Sequence, residues 1–228
     1  MTTYFTRTAL LIFGLLLSSF GFCQENTIGY FQPDISLNYK VSANYSHNFK
    51  TAQRAYIYED DFLYRVKQLD ISHFSTVKIG FEQSLALGLQ YRFRDTFDDN
   101  GENELRITEQ YKLSRVYENL ILGNRFRAEQ RISPSSTTHR FRYRLSIEVP
   151  LKGEKLDIGE PYFSASTESL LSIAKSEKPI YDQRLTSHLG WLLNRETKLE
   201  VGAEYRAENY TQTTEHIFFL LTSLIFSL

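Results

Sequence analysis

The chain has 228 residues, 42% hydrophobic and 23% charged, with 26 Lys and Arg against 27 Asp and Glu. That length supports one domain, and the near-balance of charge gives no electrostatic basis for a nucleic-acid partner. A mean hydropathy of −0.35 excludes a bundle of membrane helices, but not a membrane barrel, in which only alternate residues meet lipid.

The first predicted element is a secretory signal peptide over residues 1–23. Arg7 supplies its positive start, residues 9–17 its apolar core, and Gly21 and Cys23 the small residues before a cut at Gln24. The apolar run is shorter than the roughly 20 residues a spanning helix needs. Cys23 as a lipidated cysteine is the alternative, although Phe22 stands where that processing takes a small residue. Cleavage after Cys23 leaves a single domain, 24–228, with no thiol chemistry, because Cys23 is the chain's one cysteine.

Beyond Gln24 the pattern is period two almost throughout, and 15 Tyr and 17 Phe favour strands. Over residues 34–46, Ile35, Leu37, Tyr39, Val41, Ala43 and Tyr45 occupy one face and polar residues the other. The spacing predicts about ten strands: 34–48, 62–81, 85–97, 104–116, 119–132, 138–149, 160–173, 181–193, 197–210 and 214–227. Strand 62–81 is the least regular, and either a bulge near Asp70 or a start later than residue 62 is expected. The fold class expected is all-β, an antiparallel up-and-down transmembrane β-barrel. With the N-terminus in the periplasm, 49–61 and 98–103 are outer loops, while 82–84, 117–118 and 194–196 are short inner turns; 150–159 is long for an inner turn. An even count returns the C-terminus to the periplasm.

Residues 217–228 are nearly all apolar and end the chain. They are too few for a spanning helix but enough for a tilted strand, with Phe218, Leu220, Leu224, Phe226 and Leu228 on one face. Such an ending resembles substrates of the barrel-assembly machinery, although Leu228 stands where an aromatic residue is usual. The signal peptide, this strand and the Leu, Tyr and Phe faces favour a membrane barrel over a soluble one.

The polar faces carry a charged stripe. Arg125, Arg127, Glu129 and Arg131 share one face of 119–132, and Arg140, Arg142, Arg144 and Glu148 one face of 138–149. If the apolar faces meet lipid, these point into the lumen, together with Arg92, Arg94, Arg106, Glu168, Arg184, Glu200, Glu204 and Arg206. Charges in a confined lumen require partners, and the arginine fork bridges several carboxylates. An Arg–Glu lattice is therefore expected, with Glu129, Glu148, Glu168 and Glu204 between the arginines. It would either rigidify and close the barrel or form an anion-favouring constriction or ligand site.

The run Arg125-Phe126-Arg127-Ala128-Glu129-Gln130-Arg131, then Arg140-Phe141-Arg142-Tyr143-Arg144, Glu168 and Asp182-Gln183-Arg184, resembles an uncharacterised family of outer-membrane barrels, domain of unknown function 2490, common in Bacteroidota. The resemblance is good over 104–228 and thinner over 34–103; Thr167 departs from it where Asn is expected. It implies a β-barrel and an outer-membrane location, and supplies no activity.

Evidence for catalysis is sparse. His47, His73, His139, His188 and His216 show no metal-ligand spacing, and there is no G-x-S-x-G elbow. The acid pairs Asp60-Asp61 and Asp98-Asp99 fall in expected outer loops. His47 could complete a protease-like rim site only if it converged with Asp60 and Asp99. The leading expectation is a non-enzymatic outer-membrane barrel, a narrow porin-like channel or a structural or binding protein. Its partners are outer-membrane lipid and the assembly machinery, with no cofactor, no metal and no identified ligand. The alternatives are an outer-membrane hydrolase with an extracellular-rim site and a soluble secreted lipid-binding β-barrel.

Overall fold

The computed structural model describes residues 27–98, 101–175 and 177–228; the expected signal peptide, 1–23, lies outside them. Eleven strands follow in chain order: β1 Thr27–Lys40, β2 Tyr45–Glu59, β3 Asp61–Lys78, β4 Gln83–Phe93, β5 Glu104–Tyr117, β6 Leu120–Ile132, β7 Thr137–Pro150, β8 Pro161–Ala174, β9 Ile180–Asn194, β10 Thr197–Glu208 and β11 Glu215–Ser227. They pair in sequence order and close into a barrel, with no helix among the described residues. Closure leaves no unpaired edge among the described strands.

The count is eleven, not ten. The expected strand 34–48 is the end of β1, a turn over 41–44 and the start of β2. The turn is closed by Val41 N–H donating to the Tyr45 carbonyl at 3.0 Å. Four turn residues preserve parity, so outward Ile35 and Tyr39 run in phase with outward Phe49, and the alternation conceals the reversal. Residues 49–59 are then not an outer loop but the remainder of β2. Asp60 alone, at φ 62°, links β2 to β3. The bulge expected near Asp70 lies on β3 at Lys67, the extra residue between Gln68 and Val66 where these pair with consecutive Arg54 and Ala55, and the register with β2 shifts again at Tyr56/Tyr58.

An odd number of alternating strands makes the first and last run the same way. The β1–β11 seam is accordingly parallel, with Thr27 opposite His216 and Asn38 opposite Ser227, while every other pair is antiparallel. The two ends of the barrel therefore lie on opposite rims, correcting the expectation that both share one. The C-terminal rim carries 41–44, 79–82, 118–119, 151–160 and 195–196. The N-terminal rim carries Thr27, Asp60, 94–98, 101–103, 133–136, 175, 177–179 and 209–214.

Alternation places apolar side chains outside. Leu85, Leu87 and Leu89 on β4, Phe126 on β6, Phe141 and Leu145 on β7, Leu185 on β9 and Leu220 on β11 are all exposed on the outer wall. Glu109, at mid-strand on β5 between Leu87 and Ala128, is an exposed carboxylate on that wall. Inside, β11 departs from the polar rule. Ile217, Phe219 and Leu221 pack with Tyr30 and Tyr56, and Ile28 and Leu63 cover them. This explains why residues 217–228 read as apolar on both faces: the outer face is the wall, and the inner face helps to fill the N-terminal half of the lumen.

Candidate functional site

The interior is assembled from alternate residues of neighbouring strands, and the register determines which charges meet. Arg125 lies opposite Arg144, Arg127 opposite Arg142, and Arg106 opposite Arg131. Like charges directly opposite repel, so this arrangement requires carboxylates reaching in from elsewhere. Three hubs supply them.

Glu168 on β8 is the most deeply buried, at 1% exposure. It accepts from Arg125 Nη2 at 2.8 Å and Arg142 Nη2 at 2.5 Å, with Arg144 Nε at 3.4 Å. Arg142 also donates to Glu129 at 2.7 Å, tying β6, β7 and β8 together. Glu104 on β5 forms the second hub, with Arg106 at 2.5 Å, Arg131 at 2.8 Å and Arg92 at 3.9 Å. Arg92 in turn holds Asp70 through two 2.7 Å bonds, the two-pronged geometry that makes arginine–carboxylate pairs strong. The third hub is Glu204 with Glu208. Arg206 donates to Glu204 at 2.5 Å and lies 3.5 Å from Glu208; Thr186 donates to Glu204, and Arg184 lies 3.8 Å from Glu208.

The remaining expected residues lie around these hubs. Arg140 donates to Ser172 and lies 3.7 Å from Asp182. Arg94, just past β4, donates to Gln68 at 3.4 Å. Glu200 accepts from the Tyr162 hydroxyl. Glu148 does not sit between arginines as expected. It lies near the C-terminal rim, 3.6 Å from Lys198, whose ammonium lies over the Tyr162 ring. Gly190 makes room for that ring, since a Cβ there would overlap it.

Sequence reasoning missed several participants. Asp70 and Glu104 anchor hubs, and Asp34 binds Lys50 at 2.9 Å and Ser223 at 2.8 Å. Lys50 and Arg54 were hidden because 49–61 reads as a loop. Arg54 lies over the Tyr30 and Phe219 rings and donates to Gln32. Lys67 donates to the Tyr30 hydroxyl at 2.6 Å, and Arg206 lies over Phe219. Aromatic rings and cations therefore fill the N-terminal half, where Tyr30, Gln68 and Asp182 are each 2% exposed or less.

The other half is not filled. A cavity of about 700 Å³ runs from the lattice toward the C-terminal rim. Its wall includes Asn38, Asn48, Thr76, Lys112 and Ser146 from the C-terminal-rim portions of their strands, and Arg92, Arg106, Arg184 and Arg206 at its inner end. Eleven Lys and Arg line it against two carboxylates, Asp70 and Glu204. Glu104, Glu129 and Glu168 stand behind the arginines, outside the lining. Arg127 has no carboxylate partner among the described residues; its Nε donates to Gln110 at 2.7 Å and its guanidinium lies over Phe74. The Nε atoms of Arg125, Arg142 and Arg184 are buried with no hydrogen-bond acceptor among the described residues.

No rim site assembles from His47, Asp60 and Asp99. His47 is near the C-terminal rim and pairs with His73 at 2.9 Å, while Asp60 is at the opposite rim. Thirteen residues of strand separate them, on the order of 40 Å, and Asp99 lies outside the described residues. Among the described residues, no group of three His, Cys, Asp or Glu could hold a metal ion.

No curated protein and no solved structure matches the chain. The model of one family, described as a protein of unknown function (DUF2490), matches residues 33–216. A match over most of the chain, covering all three carboxylate hubs, shows that the chain belongs to the DUF2490 family.

Proposed function

We propose that the protein is an outer-membrane β-barrel, exported by its signal peptide, whose lumen is a closed, charge-filled binding chamber rather than a conducting pore. The observation that carries this reading is the inverted distribution of polarity. Leu85, Leu87 and Leu89 are about half exposed on the outer wall, at 49%, 57% and 51%, while Glu168, Asp182 and Arg92 are at most 5% exposed inside. A soluble barrel places its apolar face inward; one in lipid needs the reverse. The short turns at 118–119 and 195–196 favour the C-terminal rim as the periplasmic one, and the cavity then opens toward the periplasm. Outer-membrane lipid is the solvent of the outer wall, and the barrel-assembly machinery is the partner during insertion.

The lattice and aromatic plug argue for the chamber over the narrow channel, because packed aromatic rings and paired charges occupy the N-terminal half of the lumen. Fractionation and planar-bilayer recording test the two parts separately. The expected results are recovery in outer-membrane fractions with heat-modifiable migration on gels, and no unitary current after reconstitution. Recovery in the soluble periplasmic fraction would overturn the location. Steady single-channel conductance would overturn the closed lumen.

A further inference from the structure

We infer that the lumenal cavity is a binding site for a small polyanion of the phosphate class, a molecule carrying at least two negative charges. The inference rests on the reading of the lumen as a closed chamber and adds to it the ligand's chemistry.

The charge on the wall is the first argument. Eleven cationic side chains face the cavity against two carboxylates, and both carboxylates are already engaged, Asp70 by Arg92 and Glu204 by Arg206 and Thr186. Glu104, Glu129 and Glu168 neutralise arginines from behind and leave the cavity surface itself basic. Eight of the eleven cations are ion-paired, Lys50 with Asp34 and the others through the hubs, whereas Arg54, Lys112 and Arg127 have no carboxylate partner among the described residues; unpaired positive charge in a confined space favours a bound counter-charge.

The second argument is the arrangement of donors. Lys112 lies opposite Arg125, and Arg127 opposite Gln110, on the adjacent strands β5 and β6. Lys112 makes no hydrogen bond or ion pair among the described residues, and Arg127 uses only its Nε, on Gln110. Both keep donors free at the cavity wall. Arg184, itself 8% exposed, lines the same cavity with an unpartnered Nε. Guanidinium forks and a flexible ammonium are the side chains that bind phosphate oxygens. The Gln110 amide, which accepts from Arg127 through its oxygen, keeps its NH2 as a neutral donor suited to a hydrated oxyanion.

Size and valence narrow the class. A volume of about 700 Å³ is in the range of small-molecule sites. One monovalent ion would leave most of the wall charge unmet, whereas two linked phosphoryl groups could reach cations on β5–β7 and across the lumen.

The test is isothermal titration of the full mature chain, folded in detergent, with inorganic pyrophosphate and orthophosphate in about 0.15 M sodium chloride. Expected is saturable binding, tighter for pyrophosphate. The double variant Arg127→Gln with Lys112→Gln should weaken it by about tenfold or more. Neither substitution orphans a carboxylate, so heat-modifiable migration should be unchanged, and Arg65→Gln, on the β2–β3 hairpin beyond the lumen, should have no effect. Absence of saturable binding, an unchanged affinity in the folded double variant, or an equal loss in Arg65→Gln would each overturn the inference. None of these measurements involves membrane location or conductance, so failure here is distinct from failure of the closed-barrel reading.

Discussion

Glu168→Gln is the most informative single substitution in the interior. The carboxylate is 1% exposed and holds Arg125, Arg142 and Arg144. Glutamine keeps one accepting oxygen and nearly the same volume, so the change removes charge and little else. Two of the three arginines are well buried, with side chains 19% and 11% exposed, while Arg144, at 27%, keeps more contact with the cavity. Removing one partner of a buried ion pair typically costs about 3–5 kcal/mol, because the charges left behind are uncompensated. Arg142 retains Glu129, which places the expectation near the lower end, about 3 kcal/mol. The assay is urea unfolding in lipid vesicles, followed by fluorescence of Trp191, the one tryptophan. With a urea dependence of about 3 kcal/mol per molar, the midpoint should fall by about 1 M. Adding Arg144→Gln should restore part of the loss, since the double variant returns the hub toward balance. A loss under about 1 kcal/mol, the magnitude of a solvent-exposed pair, would show that the hub is hydrated and would refute the account of a dry lattice.

Three further outcomes are expected. Glu109→Leu removes an exposed carboxylate at mid-strand on the outer wall and should stabilise the barrel in vesicles by on the order of 1–2 kcal/mol; a loss of stability would argue against lipid on that face. Gly190→Ala places a Cβ in the Tyr162 ring, disturbing its bond to Glu200, at an expected cost of about 1–3 kcal/mol in the same unfolding assay. At the N-terminal rim, the Ser135 hydroxyl and amide donate to Glu102 at 2.6 and 3.3 Å and hold its carboxyl below its ordinary value of 4.5. A depressed folded value means that the contact is fully present above pH 4.5 and lost as pH falls through the lower folded value. Protection of the Ser135 amide from hydrogen exchange, relative to its intrinsic rate at each pH, should therefore fall only in acid, and Glu102→Gln should abolish that change in protection.

The regular strands were legible because inside and outside differ sharply in polarity. From β4 to β10, residues such as Leu87 and Leu89 against Arg92, or Phe141 and Tyr143 against Arg142, alternate with few exceptions, Glu109 outward and Leu170 inward among them, and the expected boundaries fall within a few residues of those observed. The first two strands were not legible, for two reasons. The turn at 41–44 has no Gly or Pro and keeps the parity of its flanks. On β2, His47, Thr51 and Gln53 make the outer face polar, and the bulge at Ile57 in the pairing with β1 breaks the alternation. The direction of the charged stripe followed from alternation alone, but the choice of partners did not. Glu168 reaches Arg125 two strands away because strands in a barrel are tilted and staggered, and stagger is a property of the closed sheet rather than of any one segment. The cavity was beyond reach for the same reason, since it depends on which carboxylates stand behind their arginines.

The parallel seam is the feature that departs furthest from the expected barrel, and cross-linking can test it directly. Ile35 on β1 is opposite Leu224 on β11, whereas Leu220 is opposite Phe31, four residues earlier. Both members of the first pair occupy outward positions, and directly paired residues in a sheet approach within the Cα separation of about 4.4–6.8 Å that a disulfide tolerates. Position 220 is displaced along the strand by about 13 Å from the partner of Ile35, too far to bridge. The mature chain would carry no other cysteine, because Cys23 precedes the expected cleavage point. Oxidation of Ile35→Cys with Leu224→Cys should therefore give a circularised species of altered gel mobility, reversed by reductant, while Ile35→Cys with Leu220→Cys should not. Equal cross-linking of both pairs, or of neither in a folded protein, would refute the seam. A ten-stranded barrel would place its first and last strands antiparallel, with a register that moves in opposite directions along the two strands. Adding the pair Phe31→Cys with Leu220→Cys separates the two cases, because only a parallel seam allows 31 with 220 and 35 with 224 to close together.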